Sequence, residues 1–291
     1  VCLGVPIVCD LYSEEGRILL RAGGIVTSPD HVDVLLTKAR KRQRSQASAV
    51  SLRTLSSHAM MEALSHRLDA LYDLIARNPS APGFVSAIVR LATTLVQAVD
   101  QDPDAAFAHP HLDTENCYTV YHAVMAAVVC AVLAKATGKS EAHRLGLVCA
   151  ALTHDLSLWD EQFRLEGRTE LGAQDRELVL RHPEMTVALL QKLNVSDPVW
   201  LDAVASHHER INGQGYPRGI SGAAVSEDVR ILSIADALSA MLRPRPYRAR
   251  HLAKEALAAL YRDEAGEFDQ ELLAALVNAL GIYPAGTVVR L

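Results

Sequence analysis

The chain has 291 residues, about the length of two domains. An apolar fraction of 49% and a charged fraction of 22% belong to a folded globular protein and exclude wholesale disorder. A formal charge of −5 (29 Lys and Arg against 34 Asp and Glu) and 5% aromatic residues exclude a chain-wide basic footprint for nucleic acid and a set of base-stacking platforms.

The first residues read as short strands: LGVPIVCDLY, the turn SEEG, RILLRAGG and IVTS. Their alternation and glycine punctuation predict a small β unit with hairpins. SPDHVDVLLTKA follows as a short helix, with Ser28 as N-cap and Pro29 at its first position. The stretch KARKRQRSQASAVSLR is basic and Ser-rich. It reads as a solvated linker or exposed helix, or as an anion site. Arg40 and Arg44 make an RxxxR pair that resembles the arginine motif of PilZ domains, without the companion D/NxSxxG pattern. Residues 1–54 are therefore expected to form an N-terminal β-rich module and basic linker, and residues 55–291 a helical domain.

From about Leu55 the pattern is helical almost to the end. MMEALSHRLDALYDLIARN places apolar residues at i, i+3, i+4 and i+7, and FVSAIVRLATTLVQAV follows the breaker NPSAPG. DQDPDAAFAHPHLDTE reads as a loop leading to a long helix around His122. Further helices are expected near 141–154, 175–193, 197–208, 226–242, 251–262 and 269–280. The apolar run AVMAAVVCAVLA is 12 residues, against about 20 for a membrane span, so it reads as a buried core helix. The five cysteines, Cys2, Cys9, Cys117, Cys130 and Cys149, form no C-x-x-C and read as reduced thiols of a cytoplasmic protein. The chain starts at Val1 without a basic-then-apolar leader, as expected of a fragment that carries no signal peptide.

The twelve histidines fall unevenly. His31, His58, His66, His143 and His251 stand alone, and His109 and His111 lie in the expected loop; all read as ordinary core or surface residues. Four islands differ: YTVYHAV with His122, LTHDLSLWDE with His154 and Asp155, RHPEMTVALL with His182, and SHHERINGQGYPRG with His207 and His208, followed by ILSIADALSAM with Asp236. Burying so many polar rings at helix ends without partners would cost several kcal/mol. A shared metal centre would satisfy them together. Imidazole and carboxylate suit iron, manganese, nickel or zinc. Seven candidate ligands are too many for one ion and about right for two. Two ions about 3.5–4 Å apart can activate water and clamp a phosphoryl group.

These islands resemble an HD-GYP domain, a branch of the HD metal-dependent phosphohydrolases, over about residues 115–291. The likeness rests on HHERINGQGYPRG against HHExxxGxGYPxG, on RPYR after the next helix, on GIYPAGTVVRL at the end, and on the spacing from His122 to His154. The segment LGVPIVCDLYSEEGRILLRAGGIV is similar to the small β module found before such domains. The resemblance implies a mainly α, HD-type helical bundle and a two- or three-metal centre, often iron or manganese. It implies hydrolysis of cyclic di-GMP to linear pGpG, and in some members on to GMP. Carried over by position, the ligands are His122, His154, Asp155, His182, His207, His208 and Asp236, with His154 and Asp155 catalytic and Asp155 bridging. Arg245 and Arg248 would face the substrate phosphates, a role that guanidinium geometry suits. Gly213, Gly215, Tyr216 and Pro217 would shape the loop, with Gly215 and Tyr216 at the substrate. The expected partners are cyclic di-GMP or a related nucleotide, a signalling protein and a second copy of the chain, with no nucleic acid and no membrane span.

The chain departs from the pattern at three places. The family text HDIGK is here HDLSL, so Ser157 and Leu158 replace the Gly and the Lys. A lost positive charge near the scissile phosphate compares with one oxyanion donor, about 2.7–4 kcal/mol of transition-state stabilisation. Carboxylates that some members carry before the first His and after the last Asp are here Tyr118 and Ser239, which predicts two ions rather than three. Two alternatives stay open: a catalytically weak or inactive module that binds metal and nucleotide for signalling, and a metallohydrolase of another phosphate ester.

Overall fold

The computed structural model describes residues 11–12, 18–20, 55–112, 117–161, 172–243, 251–263 and 265–285. The chain divides into two units, Val1–Leu55 and Ser56–Leu291. In the first, β1 (Leu11–Tyr12) and β2 (Ile18–Leu20) pair antiparallel, with Leu11 opposite Leu20 and Tyr12 opposite Ile18. Apart from one isolated bridge between Asn212 and Ser221, this ladder is the β-structure among the described residues, and the wider β module is not among them. The other expected strands, the helix from Ser28, and Arg40 and Arg44 lie outside the described residues.

The second unit is helical. Among its described residues the α-helices are α1 (Ser57–Arg77), α2 (Phe84–Gln101), α3 (Pro103–Leu112), α4 (Tyr118–Ala136), α5 (Glu141–Ala151), α6 (Ala173–Lys192), α7 (Pro198–Ser206), α8 (Glu227–Leu242), α9 (Ala253–Tyr261) and α10 (Gln270–Leu280). Several begin on a side-chain cap. Ser56, Ser140, Asp197, Ser226 and Asp269 each accept a first-turn N–H, removing one of the orphan donors of a helix start.

The core sits around α4. Every residue from Tyr118 to Ala134 is buried, and the helix packs against α1, α2, α3, α5, α8 and α10. A helix apolar on all sides belongs inside a protein or inside a membrane. By length and composition α4 could cross a bilayer, and the apolar run of the sequence understates it, since the helix has 19 residues. Its packing decides the matter, because 89% of its apolar window is buried against the other helices.

The segment expected to be a loop before α4 contains α3. Asp102 caps it, accepting from the Ala105 N–H at 2.9 Å, and Pro103 occupies the first helical position, where no N–H is needed. The prolines and histidines of DQDPDAAFAHPHLDTE hid a buried stripe of Ala106, Phe107, His109 and Pro110. His109 is thus a buried helical residue whose Nδ1 lies 3.3 Å from Nδ1 of His58.

Two aromatic struts fix the turn after α5. Tyr72 of α1 donates its hydroxyl to the Leu152 carbonyl and packs edge-on against Trp159 at 5.0 Å. Trp200 of α7 donates its indole N–H to Thr153 Oγ1 at 2.7 Å, and Thr153 in turn donates to the Cys149 carbonyl at 2.8 Å. These bonds hold Leu152 and Thr153 directly before His154 and Asp155. Of the cysteines, Cys117, Cys130 and Cys149 form no disulfide among the described residues, and the last two are buried; Cys2 and Cys9 lie outside the described residues.

Candidate metal centre

Five elements bring seven side chains to one place. His122 comes from the first turns of α4, His154 and Asp155 from the turn after α5, His182 from the middle of α6, His207 and His208 from the end of α7, and Asp236 from the middle of α8. The four rings His122, His154, His182 and His207 turn their Nε2 atoms inward. His122 Nε2 is 3.1 Å from His154 Nε2, and His182 Nε2 is 3.0 Å from His207 Nε2. Three overlapping groups could each hold an ion: His122, His154 and Asp236; His154, Asp155 and His207; His182, His207 and His208.

The two carboxylates each reach both ends of the cluster. Asp155 Oδ2 lies 3.6 Å from His122 Nε2 and 3.7 Å from His154 Nε2, while its Oδ1 lies 3.2 Å from His182 Nε2. Asp236 Oδ1 lies 3.0 Å from His122 Nε2, and its Oδ2 lies 3.6 Å from His208 Nδ1. The sequence pointed to Asp155 alone as the spanning group; the geometry gives Asp236 the same reach.

Hydrogen bonds at the outer nitrogens decide what the inner ones can do. Nδ1 of His154 lies 2.8 Å from the Ala151 carbonyl, Nδ1 of His182 2.6 Å from that of Val179, and Nδ1 of His207 2.8 Å from that of Val204. A carbonyl only accepts, so each Nδ1 carries the proton and a neutral ring keeps a lone pair on Nε2. The three carbonyls are available for local reasons. Ala151 and Val204 belong to the last turns of α5 and α7, where carbonyls have no intrahelical donor. Val179 is in mid-helix, but the residue four places on is Pro183, which has no N–H to give.

The donor set fits a divalent cation. Facing acceptor nitrogens near 3 Å repel each other unless a proton or a cation lies between them, and imidazole with carboxylate is the ligand chemistry of first-row metals. The electrostatics agree. Burial opposes ionisation of Asp155, but the charges and hydrogen bonds of His154 and His182 hold it well below the usual carboxylate range. Burial likewise opposes ionisation of Asp236, and bonds from His122 and His154 hold it low. Burial would depress His154, yet the negative charges of Asp155 and Asp236 raise it to about 9. His208 is pushed down to about 3, mainly by burial against the opposing charge of Asp236. Burial and the neighbouring rings His208, His154 and His182 also push His207 down.

The loop after His208 packs tightly on the cluster. A Cβ on Gly215 would sit 2.4 Å from both the Arg210 nitrogen and the His208 carbonyl, so only glycine passes there. The next N–H, of Tyr216, donates to the His208 carbonyl at 3.1 Å, and the Tyr216 ring stacks on the His208 ring at 4.6 Å. The Glu of HHE, Glu209, is a further residue of the site that the ligand pattern alone does not single out. Glu209 is buried and accepts from the N–H groups of Arg218 (2.7 Å) and Ile220 (3.1 Å), which pins the loop from below. In the sequence Glu209 stands between His208 and Arg210 in a polar stretch, so nothing there marks it as buried. Arg210 donates to the carbonyls of His207 and Glu209 and to Ser233 Oγ, tying the same segment to α8.

In the departing HDLSL text, Ser157 donates to the His182 carbonyl at 3.2 Å and pairs with Thr186 at 2.8 Å, joining the turn to α6. Leu158 is buried and brings no charge. Tyr118 stacks on the His122 ring at 5.3 Å, and Ser239 Oγ lies 2.7 Å from His122 Nδ1. Arg245 and Arg248 lie outside the described residues.

A family model described as HD domain matches residues 69–272. Among curated proteins, the 3'3'-cGAMP-specific phosphodiesterase 3 of Vibrio cholerae is 34% identical over 174 residues, covering 60% of this chain and 38% of that protein. The cyclic di-GMP phosphodiesterase PA4108 of Pseudomonas aeruginosa is 31% identical over 209 residues, covering 69% and 49%. The chain therefore spans half or less of the length of these relatives. Among solved structures, Bd1817, an HDG"Y"P protein from Bdellovibrio bacteriovorus, superposes with a TM-score of 0.69 over 94% of each chain at 16% identity, a likeness of fold.

Proposed function

The chain belongs to the HD domain family and carries the HD-GYP signature, and on that premise we propose that it is a metal-dependent phosphodiesterase that opens cyclic di-GMP to pGpG and cleaves this on to GMP. The observation that carries the reading is the convergence of four inward Nε2 atoms and two ionised carboxylates that each span the cluster.

His122 and His154, with Asp155 Oδ2 and Asp236 Oδ1, would hold one divalent ion. His182, His207 and His208, with Asp155 Oδ1 and Asp236 Oδ2, would hold a second. Iron or manganese suits these donors, as do zinc and nickel. Such a pair, when bound, would supply an activated water at neutral pH and Lewis-acid charge on a phosphoryl oxygen. The chain's own residues do the rest. The backbone-bonded imidazoles keep the lone pairs aimed, a support whose loss in metal sites costs 10–100-fold (order of magnitude) in affinity or activity. Tyr216, stacked on His208, offers a ring face and a hydroxyl beside the cluster. Arg245 and Arg248 would orient the two phosphates of the dinucleotide. Cys117, Cys130 and Cys149, which form no disulfide among the described residues, support a reducing, cytoplasmic setting for this chemistry.

Protein loaded with Mn²⁺ or Fe²⁺ is expected to convert cyclic di-GMP to pGpG, read by chromatography, with 3'3'-cGAMP and other phosphodiesters run in parallel. His154→Ala or Asp155→Ala should cut turnover at least about 100-fold. Unchanged turnover in either variant would overturn the assignment.

The burial of uncharged Leu158 favours a second reading, a module that binds metal and nucleotide without turning it over. Calorimetry showing tight nucleotide binding with no product selects this reading. Gain of turnover in Leu158→Lys would then identify the missing charge as the defect.

A further inference from the structure

His122 differs from the other three inward-facing histidines. It lies inside α4, which continues to Ala136, so the Tyr118 and Thr119 carbonyls below it are committed to the helix ladder. No helix end or proline frees an acceptor for its Nδ1, as happens at Ala151, Val179 and Val204. Its outer nitrogen meets a side chain instead. Ser239 of α8 is fully buried, donates its single hydroxyl proton to the Asp236 carbonyl at 2.9 Å, and presents its lone pairs to His122 Nδ1 at 2.7 Å. With that proton committed, the serine can only accept from the ring. Tyr118 hydroxyl stands farther off, at 3.5 Å.

We infer that Ser239 is the positioning residue of His122: it fixes the Nδ1–H form of the ring, aims Nε2 at the metal centre, and couples that ring to the carboxylate-bearing turn of α8. The inference rests on the metal-centre reading above and assigns Ser239 a role as acceptor for a ligand, in place of a ligand of its own. It also makes His122 the one of these four histidines whose outer nitrogen meets a side-chain rather than a main-chain acceptor.

The test uses the full chain stripped of metal, with Ser239→Ala, Ser239→Thr and Tyr118→Phe beside the wild type. Calorimetry with Mn²⁺ reads affinity and stoichiometry, and ¹⁵N ring shifts read the His122 tautomer in the metal-free protein. Ser239→Ala is expected to weaken binding of one ion about 10–100-fold and to lose the pure Nδ1–H signature. Ser239→Thr, which keeps the hydroxyl, should restore both, and Tyr118→Phe should keep the tautomer. Wild-type affinity and tautomer in Ser239→Ala would overturn the inference, as would failure of the threonine to rescue a properly folded protein. If the wild type takes up no Mn²⁺, the metal-centre reading fails, and the tautomer in the alanine variant still decides the role of Ser239.

Discussion

At His154 the surrounding carboxylates outweigh burial and lift the ring to about 9, so near neutral pH the metal-free cluster carries a proton there. A cation needs the lone pair that this proton occupies. Uptake of Mn²⁺ at pH 7 is therefore expected to release about one proton per chain from this ring, read as acidification of a weakly buffered solution. Apparent affinity should rise by up to about tenfold per pH unit until pH passes about 9. The same shift has a consequence for the metal-free fold. A ring raised from 6.5 to about 9 stabilises fully below 6.5, and that contribution disappears as pH rises through about 9. Asp155 and Asp236 act in the opposite sense. Being depressed, they stabilise above the ordinary carboxylate value of 3.8 and lose this as pH falls through their lowered values. That seven polar side chains at element ends share a purpose is legible in the sequence, because polar rings recur there against apolar flanks. Which oxygen faces which ring is not, and neither is the acceptor at Ser239, which stands 117 positions from the ring it meets.

Among the elements, α6 carries a proline in mid-helix directly after His182. An interior proline costs a helix about 3 kcal/mol through the lost N–H and the clash it causes. Here the missing N–H leaves the Val179 carbonyl to His182 Nδ1. Pro183→Ala should restore the competing main-chain bond. It is expected to raise the thermal midpoint of the metal-free protein while weakening Mn²⁺ binding, read by calorimetry; stabilisation without any loss of affinity would refute the link. The HP pair was visible in the sequence, yet its meaning depends on α6 running unbroken through it. The opposite error occurred at α3, where DQDP and HPH suggested a loop. Proline at a capped first position starts a helix rather than ending one, and the Ala-Phe-Ala centre supplied the buried face. Most other helices were legible from their apolar period, with ends misplaced by a few residues where turns such as 152–155 continue the helical direction.

For the molecule as a whole, the cluster joins α4, α5, α6, α7 and α8, so ions held there would cross-link most of the helical unit. A ligand present at 100 times its dissociation constant stabilises by about 2.7 kcal/mol, which for a domain of this size moves the midpoint roughly 5–10 °C. Chelation should lower the midpoint by that amount in scanning calorimetry and Mn²⁺ should restore it; an unmoved midpoint would separate the site from the fold's stability. The helix at the centre of the bundle was legible too: the apolar run after His122 reads as a buried core helix, and α4 is buried from Tyr118 to Ala134. The two aromatic struts carry a practical consequence. The chain's only tryptophans, Trp159 and Trp200, both brace the few residues around His154 and Asp155. Intrinsic fluorescence is therefore a native optical gauge of that turn, reporting ion arrival in real time with no label attached.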